Sequence, residues 1–111
     1  MFYVVKRFEV SAAHALTLDY KSQCTNLHGH NWIIKVYCRA EKLNENGMVT
    51  DFAVIKNFVH GKMDHHNLND VFPWMNPTAE NIAKWIVDSV PNCYKAEVAE
   101  SENNVAIYEK I

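Results

Sequence analysis

The stretch His28-Gly29-His30-Asn31-Trp32-Ile33-Ile34-Lys35-Val36-Tyr37-Cys38 decides how this chain is read. Its aromatic and β-branched content marks a strand. Alternate side chains of a strand share a face, so His28 and His30 stand in one row with Trp32, Ile34, Val36 and Cys38. Two imidazoles in that row suit a joint grip on one metal ion. Gly29 between them adds no bulk where another molecule would approach. An isolated H-x-H is a weak signal, because histidines are often just hydrogen-bonded, partly buried residues. Further donors must therefore be sought elsewhere in the chain.

Upstream, residues 2–15 read as a strand with Phe8, Val10, Ala12 and His14 on one face. His14 could complete a set of three neutral nitrogen donors with an open fourth position, the arrangement of catalytic zinc. Between the strands, residues 16–27 are polar and irregular, which places Cys24 on a loop. Downstream, the second strand runs to about residue 43, and Asn44-Glu45-Asn46-Gly47 signals a turn. A helix is predicted over residues 51–63, capped by Thr50 or Asp51, with Phe52, Ile55, Val59 and Met63 as its apolar stripe. Residues 64–75 read as a loop. A second helix begins near Pro77-Thr78, turns Ala79, Ile82, Ala83, Ile86 and Val90 inward, and stops at Pro91. Residues 93–101 and 104–110 form a closing antiparallel pair.

The order is ββααββ in one domain spanning residues 1–111. The fold class is α+β: a four-stranded antiparallel sheet with two helices on one face. Strands of this length leave long edges, and such edges invite pairing with another chain, so an oligomer built by joining sheets is expected. A formal net charge of -2 offers no broad basic surface for nucleic acid. No apolar run approaches the ~20 residues of a membrane span. The first seven residues lack the apolar core of a signal peptide, and three cysteines make no disulfide framework. The expected compartment is a reducing cytoplasm.

Chemistry-bearing residues each carry two readings. Cys24 could close a structural zinc site as fourth ligand, or remain a free thiol. Structural sites usually draw on paired, closely spaced cysteines, which favours the free thiol. Such a thiol, with an ordinary pKa of about 8.5, needs a nearby cation or a proton-exchanging histidine to act. Asp64-His65 offers that partner, since a carboxylate can orient an imidazole. It also fits a plain polar loop after a helix. His60 and His66 read as structural or solvated. Glu100, near the end of the third strand, is by default an exposed strand charge. In a pocket its carboxylate could accept paired N–H groups from a guanidine-like edge.

Taken together, Phe8-Glu9-Val10-Ser11-Ala12-Ala13-His14, Cys24-x-x-x-His28-Gly29-His30-Asn31, Asp51-Phe52, Asp64-His65-His66-Asn67-Leu68-Asn69, Pro77-Thr78-Ala79-Glu80-Asn81 and Glu100 followed by Asn103-Asn104 run almost end to end. They resemble the 6-pyruvoyl-tetrahydropterin synthase / 6-carboxytetrahydropterin synthase family. The three-residue gap between Cys24 and His28 is most like the bacterial 6-carboxytetrahydropterin synthases of queuosine biosynthesis.

The resemblance implies a tunnelling fold (T-fold) whose trimers close their sheets into a barrel and stack as a homohexamer, with active sites between subunits. It implies one zinc ion per subunit held by His14, His28 and His30, Cys24 as catalytic base, and Asp64 with His65 as proton relay. Glu100 would anchor the pterin and Thr78 would lie close by. The implied reaction is that of a carbon–carbon lyase. It turns 7,8-dihydroneopterin triphosphate into 6-carboxy-5,6,7,8-tetrahydropterin, acetaldehyde and triphosphate. No organic cofactor is needed, because side chains supply the acids and bases. Lys21 and Lys35 are candidates for the triphosphate, though solvated surface charge explains them as well.

Two rivals stand beside this reading: a 6-pyruvoyl-tetrahydropterin synthase, and a non-catalytic metal-stabilised binding module. A cupin-like oxygenase fits less well, since Ile34 stands where that pattern places a glutamate.

Overall fold

The computed structural model describes all residues, 1–111. Two long strands, β1 (Phe2–His14) and β2 (His28–Ala40), form an antiparallel hairpin whose intervening segment carries one 3-10 turn, Gln23–Thr25. Helix α1 (Phe52–Met63), a single helical turn α2 (Leu68–Val71) and helix α3 (Ala79–Ser89) follow. Strands β3 (Cys93–Ser101) and β4 (Asn104–Glu109) complete a four-stranded sheet in the order β1-β2-β3-β4, antiparallel throughout.

Period two sorts the sheet residues as expected. Phe8, Val10, Ala12 and His14 from β1, with Trp32, Ile34, Val36 and Cys38 from β2, are buried. Ala96 and Val98 extend this face across β3, and Ile55, Val59 and Met63 of α1 with Ile82, Ala83 and Ile86 of α3 cover it. An isoleucine fully withdrawn from water is worth about 1.5–3 kcal/mol, so this one layer supplies much of the driving force. The opposite face carries Tyr3, Val5, Arg7 and Glu9 toward solvent.

Several boundaries differ from the sequence expectation. Strand β2 stops at Ala40 instead of continuing to residue 43. The pairing with β3 shifts register between Tyr37 and Cys38, and Arg39 donates its N–H to the Asn92 carbonyl rather than along the ladder. The Asn44 side chain then gathers the N–H groups of Asn46 and Met48, and Gly47 adopts φ +78°, a conformation glycine tolerates. The predicted 64–75 loop contains α2, because Asn67 caps it through the Asn69 N–H and Leu68 is fully buried. Asp51, not Thr50, caps α1. Phe52, placed in the apolar stripe by its spacing, is 48% exposed. It is the first residue of α1, before the helix has settled against the sheet.

Strands β1 and β4 are the outer strands. The end of the β1 edge is occupied by the segment after α1: His65 donates its N–H to the Ser11 carbonyl, Ala13 donates to the His66 carbonyl, and Ala13 bridges Asn67 in parallel. This contact places the Asp64-His65 corner beside the strand that ends in His14.

Candidate functional site

Register brings the three histidines together. His14 pairs directly with His28, and Ala12 with His30, so the inward face of one hairpin end carries all three rings. Ring centroids lie 4.6 Å apart for His14 and His28, 5.1 Å for His14 and His30, and 4.9 Å for His28 and His30. One nitrogen from each ring lies within 4.8 Å of the others.

Two of the rings are braced from behind. Nδ1 of His14 meets the Pro77 carbonyl at 2.8 Å, and Nδ1 of His28 meets the Asn26 carbonyl at 2.7 Å. A carbonyl partner demands a proton on Nδ1, which leaves Nε2 as a free lone pair. Nε2 of His14 and of His30 are buried without any hydrogen-bond partner. Orphaned, converging nitrogens of this kind fit a divalent cation, and three imidazoles match the donor set of open zinc sites. Burial is the main influence holding His14 and His30 below the ordinary imidazole pKa, opposed for His14 by the Pro77 carbonyl and for His30 by the Glu100 charge. Both rings therefore stay neutral, the form that binds metal.

Glu100 faces this cluster, its carboxylate oxygens 3.9 Å from His14 Nε2 and 3.8 Å from His30 Nε2. It continues the inward row of Ala96 and Val98. The same side chain lines a cleft of about 420 Å³ with Glu80, Asn103 and Asn104, so it stands between the histidines and that space. Thr78 caps α3 by accepting the Asn81 N–H at 3.1 Å, and its neighbours Pro77 and Ala79 touch the site from either side: Pro77 through His14, Ala79 through the cleft.

Cys24 lies exposed on the 3-10 turn, outside the histidine cluster. Its backbone is tied in on both flanks. The Cys24 carbonyl accepts the Leu16 N–H at 2.8 Å, and Asn26, two residues on, braces His28. The Cys24 thiol is free and exposed, and the group of side chains that could hold a metal ion consists of the three histidines without it.

Asp64 and His65 form a separate corner. Oδ1 of Asp64 accepts the Ser11 N–H at 2.9 Å, while Oδ2 lies 3.4 Å from Nε2 of His65 and 3.4 Å from Nε2 of His60. The Ser11 hydrogen bond first, then the nearby imidazoles, holds the Asp64 carboxyl below its usual range. His65 adopts φ +58°, a left-handed conformation a non-glycine residue keeps only when its surroundings enforce it. Its side chain is 83% exposed. His65 and His30 line one open cleft of about 490 Å³ with Ser11 and Asn31, and Cys24 is not among the lining residues.

Sequence spacing found every side chain of the cluster but none of the groups that orient it. Pro77 stands 63 residues from His14, beyond any local pattern. His60 did carry a readable signal, being four residues before Asp64 on a helix.

Comparison with known proteins places this arrangement. A family model described as 6-pyruvoyl tetrahydropterin synthase matches residues 3–111. A 6-carboxy-5,6,7,8-tetrahydropterin synthase from Synechocystis is 36% identical over 97% of this chain and 93% of its own length. A dihydroneopterin monophosphate aldolase from Pyrococcus furiosus is also 36% identical, over 78% of this chain and 73% of its own. Among solved structures, 6-pyruvoyl tetrahydropterin synthase from Caenorhabditis elegans superposes with a TM-score of 0.78 at 29% identity, covering 99% of this chain and 96% of that one. The chain belongs to the 6-pyruvoyl tetrahydropterin synthase family, and its sheet and helices form the T-fold expected from its sequence.

Proposed function

We propose that this chain is a zinc-dependent lyase converting 7,8-dihydroneopterin triphosphate and one water molecule to 6-carboxy-5,6,7,8-tetrahydropterin, acetaldehyde and triphosphate, a step of queuosine biosynthesis in the cytoplasm. The observation that carries this reading is the set of three converging imidazoles with two orphaned Nε2 atoms, in a chain 36% identical to a 6-carboxytetrahydropterin synthase along nearly its whole length.

His14, His28 and His30 would hold the ion. Bound there, zinc supplies Lewis acidity toward the oxygens of the substrate side chain. The remaining work falls to this chain's own groups. Cys24, as thiolate, takes a proton from the substrate side chain. His65 has Nε2 turned to Asp64, which leaves Nδ1 as the nitrogen free to exchange a proton. Asp64 keeps that ring oriented and stabilises its charged form. Glu100 accepts the paired N–H groups of the pterin edge from its place between cleft and cluster, with Thr78 beside it.

His65 is far more exposed than a working relay should be, and this supports a site completed across a subunit boundary. The oligomer we favour is a homohexamer of two barrel-forming trimers, with outer strands β1 and β4 as the joining edges.

The likeness to a 6-pyruvoyl tetrahydropterin synthase structure supports a second reading, in which triphosphate leaves without carbon–carbon cleavage. Zinc-loaded protein incubated with 7,8-dihydroneopterin triphosphate separates the two. Acetaldehyde released in step with triphosphate is the expected result. Triphosphate without acetaldehyde supports the pyruvoyl reading, and bound metal without turnover supports a binding module.

A further inference from the structure

His60 lies in the last turn of α1, where a histidine also complements the helix dipole. Its ring sits edge-on to Phe8 of β1, with centroids 6.1 Å apart, so the core helps fix where Nε2 points. That nitrogen is as close to Oδ2 of Asp64 as His65 is, 3.4 Å in each case. The other carboxylate oxygen is taken by the Ser11 N–H at 2.9 Å. His66 does not compete for the carboxylate, because its Nδ1 pairs with the Asp64 backbone carbonyl at 2.7 Å.

A carboxylate held at one oxygen can still swing about that hydrogen bond. A charge contact from His60 Nε2 to Oδ2, at 3.4 Å, limits that swing. His65 is mostly exposed, its backbone lies in the left-handed region, and it depends on that carboxylate for its orientation. His60 is anchored by a helix and an aromatic ring, whereas His65 is not.

We propose that His60 is a positioning residue that pins Oδ2 of Asp64 and thereby orients His65. This rests on the reading of Asp64 and His65 as the proton relay. His60 touches neither the histidine cluster nor the Glu100 cleft, so it acts through the carboxylate alone. The order of influences on Asp64 agrees: after Ser11, His60 is the strongest of the three histidines that favour its ionised form.

Two substitutions and one background test this. His60→Phe keeps the packing against Phe8 and removes the donor, while His60→Gln keeps a donor near the Nε2 position. Loss of orientation should lower kcat about tenfold in His60→Phe with KM within about twofold, and His60→Gln should recover most of that loss. In an Asp64→Asn background His60→Phe should cost nothing further, because both changes break the same link. Histidine-labelled, substrate-free protein gives a readout that does not need turnover. By nitrogen-15 spectroscopy, His65 should carry its proton on Nε2 in the wild type and in His60→Gln, and divide it between the two nitrogens in His60→Phe.

That tautomer pattern in a protein without pterin turnover would remove the relay chemistry and leave the positioning claim standing. An unchanged tautomer in His60→Phe overturns the proposal. So does equal damage from both substitutions, or a full additional loss on Asp64→Asn.

Discussion

The histidine cluster and the Asp64-His65 corner lie within four residues of one another along β1, at His14 and Ser11. In the first, His14 is buried and His28 and His30 are half-buried; two of the rings are braced by the Pro77 and Asn26 carbonyls, and all three come from inward-facing strand positions. The second is strung along the strand edge, with its imidazole exposed and its backbone in a left-handed turn. The three cluster histidines converge within one chain, while the corner has its orienting contacts but presents His65 to an open cleft shared with His30. An ion must be gripped by ligands that do not move, whereas a proton relay has only to meet its partner.

The largest effects should fall on the cluster. His28→Ala removes one of three donors and should take bound zinc from about one ion per chain to near zero, with turnover lost alongside, as elemental analysis and the acetaldehyde assay would show. Cys24→Ala should sharpen the contrast: turnover down at least about a thousandfold, with metal content unchanged. Loss of metal in that variant would make Cys24 a ligand and erase the distinction between the two halves.

Acid should also separate the regions. His14 and His30 have folded-state pKa values below the ordinary imidazole value of 6.5, so the unfolded chain binds protons that the metal-free fold resists. Metal-free protein should therefore hold its full stability above pH 6.5 and lose it as pH falls from there toward the lowered values. Asp64 acts later, because its depressed pKa contributes stability above 3.8 that is lost only as pH falls through the folded value. Thermal melts from pH 8 down to below pH 3.8, with and without zinc, check both losses, and zinc should blunt the first. The smallest effect belongs to Thr78→Ala, which removes the α3 cap for about 1 kcal/mol of stability while leaving metal content near wild type.

Period two was enough to put His14, His28 and His30 on one face from sequence, since a strand leaves side chains only two directions. The pairing of His14 opposite His28 was not readable, because register is set by the whole hairpin. The short helix α2 hid in a polar stretch whose cap, Asn67, resembles any loop asparagine. Phe52 misled because helical spacing holds from the first residue of a helix, while burial begins a turn later. Asp64 and His65 were identifiable as a pair, but their tether to Ser11 spans 53 residues and appears only once β1 has folded against α1.

The division of labour between the two regions is tested most directly by mixing Cys24→Ala and His65→Ala proteins, each inactive alone, after dissociation and joint reassembly. If thiol and relay meet across a subunit boundary, random mixing gives about a quarter of the sites both wild-type groups and about a quarter of wild-type acetaldehyde release. Mixed oligomers, verified by native mass spectrometry, with no more activity than their parents would contradict the account and place the whole site within one chain.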